Sequence, residues 1–174
     1  MAADSGEPRH SRYPRLVSIN DDPGDDLNIN PSEPERMSLR GLHHVTLICS
    51  SLAATTAFYR DLLGLALVQQ GNNDDDPGSR HFWFGDADGS PGTLISFLEY
   101  STLPAGVVGV GSTHHIAFTV DSADEQAAWR DYLREHGVQC TEVHDRGQFS
   151  SIYIRDPDGH IVELATRGPG FAPS

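Results

Sequence analysis

Apolar and polar residues in this chain change period several times, and the changes divide it into strands and helices. From Leu42 the pattern alternates: His44, Thr46 and Ile48 fall on one side and His43, Val45 and Leu47 on the other, as expected of a strand with a period of two. A helical pattern follows from Leu52 to Leu63. Its apolar residues are Leu52, Phe58, Tyr59, Leu62 and Leu63, with Ser50 or Ser51 as its cap and Gly64 as its stop. Strand-like stretches come next at 65–69, 80–84 and 93–98, with a turn at Asp86-Ala87-Asp88-Gly89 between the last two.

The order then starts again. Leu42-His43-His44-Val45-Thr46-Leu47 recurs as Thr113-His114-His115-Ile116-Ala117-Phe118, an offset of 71 residues. A second helix is predicted over 123–136. Ser122 and Glu125 form a capping box, Trp129, Tyr132 and Leu133 make the apolar stripe, and Gly137 stops it. Strands are expected at 138–143, 151–155 and 161–165, with Asp156-Pro157-Asp158-Gly159 as the turn, 70 residues after its first counterpart. Each half therefore reads β-α-β-β-β. The expected fold is α+β: two tandem βαβββ modules, about 39–103 and 110–168, forming paired curved sheets around a cavity. The plainer alternative is two α+β units with filled cores and no site.

The first 38 residues lack this patterning. They hold five prolines and the acidic run Asp21-Asp22-Pro23-Gly24-Asp25-Asp26, too little apolar surface to offset chain entropy. A disordered arm over 1–38 and a folded domain over 39–171 are expected. The net charge is −13, and no basic cluster could follow phosphates or an anionic bilayer, so neither nucleic acid nor membrane is an expected partner. No apolar run has the roughly 20 residues of a membrane span, and the start of the chain has no apolar signal segment. Cys49 and Cys140 are read as free thiols, and the cytoplasm as the compartment.

The repeat also locates the chemistry. His44 and His115 occupy equivalent points on equivalent strands, which favours a shared ligand role over two separate packing roles. Glu163 interrupts the apolar strand Ile161-Val162-Glu163-Leu164, where a carboxylate is costly unless paired or bound to a metal. If Asp156–Gly159 forms a three-residue hairpin loop with Gly159 left-handed, Asp156 pairs with His160 and Tyr153 falls opposite Glu163. Two imidazoles and one carboxylate are the ligand set of non-haem Fe(II) oxygenases, and Mn(II) suits them nearly as well. Zn(II) or Ni(II) is an alternative, and zinc with three ligands and water would point to hydrolytic or isomerase chemistry. The first-module counterpart of Glu163 is Thr93 or Ser96, neither of them a carboxylate. Glu99 lies off the alignment.

Leu42-His43-His44, Phe58-Tyr59-x-x-Leu62-Leu63-Gly64-Leu65 and Asp156-Pro157-x-Gly159-x-x-x-Glu163 resemble the vicinal oxygen chelate superfamily, which includes glyoxalase I, bleomycin resistance proteins and extradiol dioxygenases. Asp75-Asp76-Pro77-Gly78, His81-Phe82-Trp83-Phe84-Gly85-Asp86, Gly89-Ser90-Pro91-Gly92-Thr93 and Glu163-Leu164-Ala165-Thr166 look most like its hydroquinone-type ring-cleaving dioxygenases. The resemblance implies His44, His115 and Glu163 as metal ligands and one divalent metal per site. It implies Tyr153, His114 and Arg146 as catalytic groups, and His43 and Thr46 as pocket residues. We add His81 to that pocket. The implied substrates are a small dihydroxylated aromatic compound and O2. Such relatives usually carry four modules, and this chain looks like the first and last of them joined. A homodimer is expected, because two modules offer few cavity walls. Plainer readings remain for several residues: Arg146 as a surface charge, His81 as a strand cap, and His43 and His114 as packing groups facing away from their neighbours. His144 and His160 read as solvated. The competing functions are a glyoxalase-like lyase or isomerase, which needs a further carboxylate, and a non-catalytic binding or resistance protein, which needs no triad.

Overall fold

The computed structural model describes residues Ser38–Phe171. The expected acidic arm lies almost wholly outside them. The chain forms two βαβββ modules, as the repeat predicts. In the first, β1 (His44–Cys49) leads into α1 (Leu52–Thr56), which continues as a π-helical segment over Ala57–Leu62, followed by β2 (Ala66–Asn72), β3 (Arg80–Gly85) and β4 (Leu94–Glu99). In the second, β5 (Ile116–Val120) leads into α2 (Ala123–Glu135), followed by β6 (His144–Asp145), β7 (Ser150–Arg155) and β8 (Ile161–Thr166). The two four-stranded sheets have the same order, β1-β4-β3-β2 and β5-β8-β7-β6. In each, the module's first strand runs parallel to its last, and the other pairs are antiparallel.

The two ladders also share a register. His44 pairs with Leu94 and Thr46 with Ser96, while Ile116 pairs with Val162 and Ala117 with Glu163. Across the next strand, Trp83 pairs with Ser96 and Tyr153 with Glu163. The duplication in sequence is thus a duplication of pairing. It identifies Ser96, rather than Thr93, as the structural counterpart of Glu163.

Each helix covers one face of its sheet. Leu52, Phe58 and Tyr59 pack with Phe84, Ile95 and Phe97 in the first module, and Leu133 with Ile152, Val162 and Leu164 in the second, all of them buried. Gln126 is an addition that apolar patterning does not reveal. It is buried on α2 and its amide donates to Ser150 O (2.9 Å) and Leu164 O (2.8 Å), pinning the helix across β7 and β8. Ser122 caps α2 by accepting from Glu125 N, and Glu125 accepts in return from Asp121 N, one residue before the cap, so that the capping box expected here is shifted by one donor.

Two local expectations change. The first helix is not α-helical to its end. Thr55 and Thr56 bond back to Ser51 O and Leu52 O, and the next turn widens, with Leu63 N donating to Phe58 O. Phe58 and Tyr59, adjacent in sequence, are both buried along this wider turn. The strand expected at 138–143 is also absent, and β6 holds only His144–Asp145. Thr141 explains the loss. Its N–H donates to Tyr153 O, but the return bond from Tyr153 N goes to its side-chain oxygen, so the backbone ladder does not propagate.

A buried polar cluster joins the modules. The Asp156 carboxylate accepts the Tyr59 hydroxyl (3.1 Å), and His160 Nδ1 lies 2.9 Å from the same carboxylate. Asp158 accepts Ser50 N at 3.1 Å. Asp156 N donates to His160 O, and Gly159, at φ 91°, closes the three-residue loop expected of this turn. His160 is therefore a member of a buried cluster and not the solvated residue expected. No helix among the described residues is long and apolar enough to cross a membrane. Cys49 and Cys140 are free.

Candidate metal and substrate site

The second module brings four of the expected residues together. Glu163 is 3% exposed. One of its oxygens accepts the Ser151 hydroxyl, and the other lies 2.9 Å from His115 Nε2. Tyr153 stands across the ladder from Glu163, and its ring lies 6.0 Å from that of His115. Arg146 Nη2 donates to Tyr153 Oη at 3.0 Å, and the guanidinium also sits 5.8 Å from the tyrosine ring centre. Arg146 is thus tied to Tyr153 and is not a stray surface charge. The loop places it there: Arg146 N bonds Phe149 O, and Gly147, at φ 80°, makes the turn that returns the chain to β7.

His114, His115, Arg146 and Tyr153 line a cavity of about 670 Å³, with Cys140, Ile154 and Ile161 among its other walls. Burial pushes the Cys140 thiol above its ordinary value, which disfavours the reactive thiolate. His114 does not face away from His115. Strand β5 begins only at Ile116, so strict alternation does not bind these two residues, and their Nδ1 atoms meet at 2.8 Å.

The first module repeats part of this arrangement. His43 Nδ1 lies 3.0 Å from His44 Nδ1. The Trp83 ring sits 4.8 Å from both His44 and His81. Thr46 Oγ1 and Ser96 Oγ are 2.9 Å apart at the position that Ala117 and Glu163 occupy in the second module. His81 matches Ser151 in register. Its Nε2 is buried and has no hydrogen-bond partner among the described residues. Burial, with His44 acting in the same direction, holds its imidazole below the usual histidine value. A buried nitrogen without a partner is costly and marks a place where a further group would be accommodated. Glu99 serves the fold of the first module instead. It accepts Leu52 N at the start of α1 and pairs with Arg80 at 2.7 Å.

His44 does not join His115 and Glu163 within the single chain. Among the described residues, no three His, Cys, Asp or Glu side chains lie close enough to hold a metal ion together. The donor chemistry of His115 and Glu163 nevertheless fits a divalent cation. An imidazole nitrogen and a buried carboxylate oxygen face each other at hydrogen-bond distance, and a cation in place of the shared proton would satisfy both.

The family model for the glyoxalase/bleomycin resistance protein/dioxygenase superfamily matches residues 41–164. The chain is 35% identical over 132 residues to the "Putative ring-cleaving dioxygenase MhqO" of Bacillus subtilis (strain 168), covering 76% of this chain and 42% of that protein. A crystal structure of a dioxygenase-named protein from Bacillus subtilis subsp. subtilis str. 168 superposes with a TM-score of 0.69 at 35% identity, over 75% of this chain and 41% of that one. The fosfomycin resistance protein FosX of Listeria monocytogenes, solved with Mn(II) and dihydroxypropylphosphonic acid, superposes with a TM-score of 0.56 at 26% identity. That match covers 77% of this chain and 95% of FosX. The chain therefore spans half or less of the length of its dioxygenase-named relatives and nearly all the length of FosX.

Proposed function

The chain belongs to the glyoxalase/bleomycin resistance protein/dioxygenase superfamily, and within it we propose a divalent-metal-dependent dioxygenase that opens the ring of a hydroquinone or catechol. The observation that carries this reading is the group around Glu163: His115 Nε2 at 2.9 Å on a buried carboxylate, with Tyr153 across the ladder and bonded to Arg146. The dioxygenase-named relatives support the choice of reaction.

His115 and Glu163 would hold the metal together with His44 supplied by a second copy of the chain. The need for that copy follows from the open sheet faces. His44, Thr46 and Ile48 on β1, and Ala117 and Thr119 on β5, are exposed along the same faces that carry the candidate ligands. A face bearing Ile48 at 48% exposure favours a covering partner, and a symmetric pair would cover both faces and complete two sites at once. Fe(II) suits the ligand set, with Mn(II) next. When bound, such a metal supplies Lewis acidity and a common anchoring point for an aromatic oxygen and O2.

The chain's own groups supply the rest. The Tyr153 hydroxyl, bonded to Arg146, would exchange a proton with a ligand oxygen in the cavity. Arg146 would steady the negative charge that develops there. Ile154, Ile161 and Cys140 offer apolar wall for a ring. Thr46, His43 and His81 would line the opposite side of a shared site.

A second reading is a resistance-type enzyme acting on a small epoxide. It is favoured by the match to nearly the whole length of FosX and disfavoured by Ser96, which leaves the first module without a carboxylate at the position equivalent to Glu163. Oxygen uptake by Fe(II)-loaded protein over a panel of hydroquinones and catechols tests the proposal. Turnover of an epoxide with no oxygen consumed on any aromatic would replace it with the second reading.

A further inference from the structure

We propose that His43 and His114 accept the Nδ1 protons of His44 and His115 when those rings bind a metal through Nε2, and that both outer imidazoles are thereby held as hydrogen-bond donors toward a bound oxygen atom. This rests on the metal reading above. It is carried by a geometry that occurs twice. His43 and His44 approach Nδ1 to Nδ1 at 3.0 Å, and His114 and His115 do so at 2.8 Å. In both pairs the ring planes cross at 87°. Each pair sits at the start of the first strand of its module, His44 as the first residue of β1 and His115 just before β5.

Two ring nitrogens this close share one proton, and a neutral imidazole carries only one proton over its two nitrogens. These two facts determine the arrangement. His115 Nε2 faces Glu163 and is the nitrogen through which His115 would bind a metal. A ligating Nε2 carries no proton, so the proton of His115 is on Nδ1. Nδ1 then donates to His114 Nδ1, which has to be bare, and the proton of His114 is left on its own Nε2. The same sequence in the first module gives His44 a protonated Nδ1 and His43 a protonated Nε2. Without metal, His115 Nε2 keeps its proton against Glu163, and the direction of donation between His114 and His115 is reversed.

Two consequences follow. His43 and His114 are positioning residues for metal binding, because a bare Nδ1 on each accepts the proton of the ligand ring and so stabilises the tautomer that leaves Nε2 free. In the metal-bound state neither neutral outer ring can accept a proton, since Nδ1 is occupied by its neighbour's proton and Nε2 carries its own. His114, which lines the cavity, therefore offers an N–H to a ligand oxygen and does not act as a base.

The test uses the full-length protein labelled with 15N-histidine, with Zn(II) as a diamagnetic probe. We expect a through-hydrogen-bond coupling between the Nδ1 atoms of His114 and His115. We expect the Nδ1 proton on His114 without zinc and on His115 with it. His114→Phe should weaken Zn(II) and Mn(II) binding by roughly 10–100-fold, the usual cost of losing an outer partner. His114→Gln, whose amide oxygen accepts, should recover most of that loss. His115→Ala and Glu163→Ala are the reference variants. If they lose metal while His114→Phe binds as the wild type does, or if zinc-bound His114 carries its proton on Nδ1, the tautomer proposal is overturned and the metal site stands. If both reference variants bind metal like the wild type, the metal reading itself falls, and the tautomer proposal falls with it.

Discussion

Tyr153 stands directly across the β7–β8 ladder from Glu163, as Trp83 stands across the β3–β4 ladder from Ser96. The two modules keep one framework and differ in what they hang on it. One carries a carboxylate and a phenol, the other a hydroxyl and an indole. Under the proposed function, that difference would put the acid–base chemistry in the second module.

Tyr153→Phe keeps the ring and its packing but removes the hydroxyl bonded to Arg146. Turnover of an aromatic substrate should fall by roughly 10²–10⁴ while metal content is unchanged, as expected for loss of a general acid–base. Steady-state oxygen uptake beside metal analysis is the check. A variant that loses its metal would make Tyr153 a structural support.

Glu163→Gln preserves size and can still meet Ser151, but it removes the anion. Its affinity for Fe(II) or Mn(II) should fall by more than the roughly 10–100-fold that an outer partner costs. Chelator competition measures this. Retention of wild-type affinity would exclude Glu163 as a ligand.

A site shared between copies can be complemented. His44→Ala and Glu163→Ala should each bind metal poorly when pure. After being unfolded and refolded together, the mixture should regain binding, because half of the sites in a mixed dimer would draw an intact His44 from one chain and intact His115 and Glu163 from the other. Sedimentation of the mixture checks the assembly. No recovery in a mixture that does form dimers would place the site within one chain.

Tyr59→Phe removes a buried hydroxyl that donates to the Asp156 carboxylate across the module boundary. The loss should be about 1.5–3 kcal/mol, the range for a hydrogen bond to a charged group. Urea denaturation measures it. A midpoint unchanged from the wild type would show that the cluster does not couple the modules.

His160 carries a pH dependence in the same cluster. Its hydrogen bond to Asp156 raises its pKa, outweighing the opposing effect of burial. A raised folded-state value means that the stabilisation is fully present below the ordinary histidine value of about 6.5 and is lost as pH rises through the folded-state value. Stability of the wild type relative to His160→Gln should therefore be greatest near pH 5–6 and shrink toward pH 8. Parallel denaturation curves across this range are the test, and a constant difference would contradict it.

Much of this architecture is written in periodicity. The alternation after Leu42, the capped helix starting at Ser122 and the recurrence of His-His and of the Asp-x-Asp-Gly turn are local signals, so sequence alone determined two βαβββ modules and their order. It also tied Tyr153 to Glu163 on the condition of a three-residue turn at Gly159, and the structure supplied that turn. Tertiary structure decided what depends on long-range contacts. The counterpart of Glu163 is Ser96 because β1 and β4 pair in one register, which spacing left open between Ser96 and Thr93. His160 is held by Asp156 in a cluster completed by Tyr59 from the other module, a partner 97 positions away in sequence from Asp156. The strand expected before His144 fails because the Thr141 hydroxyl takes a bond that a backbone carbonyl would have taken. The rings of His114 and His115 meet just before β5 and do not face apart as strand alternation would have them. Periodicity reports which face a residue occupies once a strand exists, but where that strand starts is settled by its neighbours.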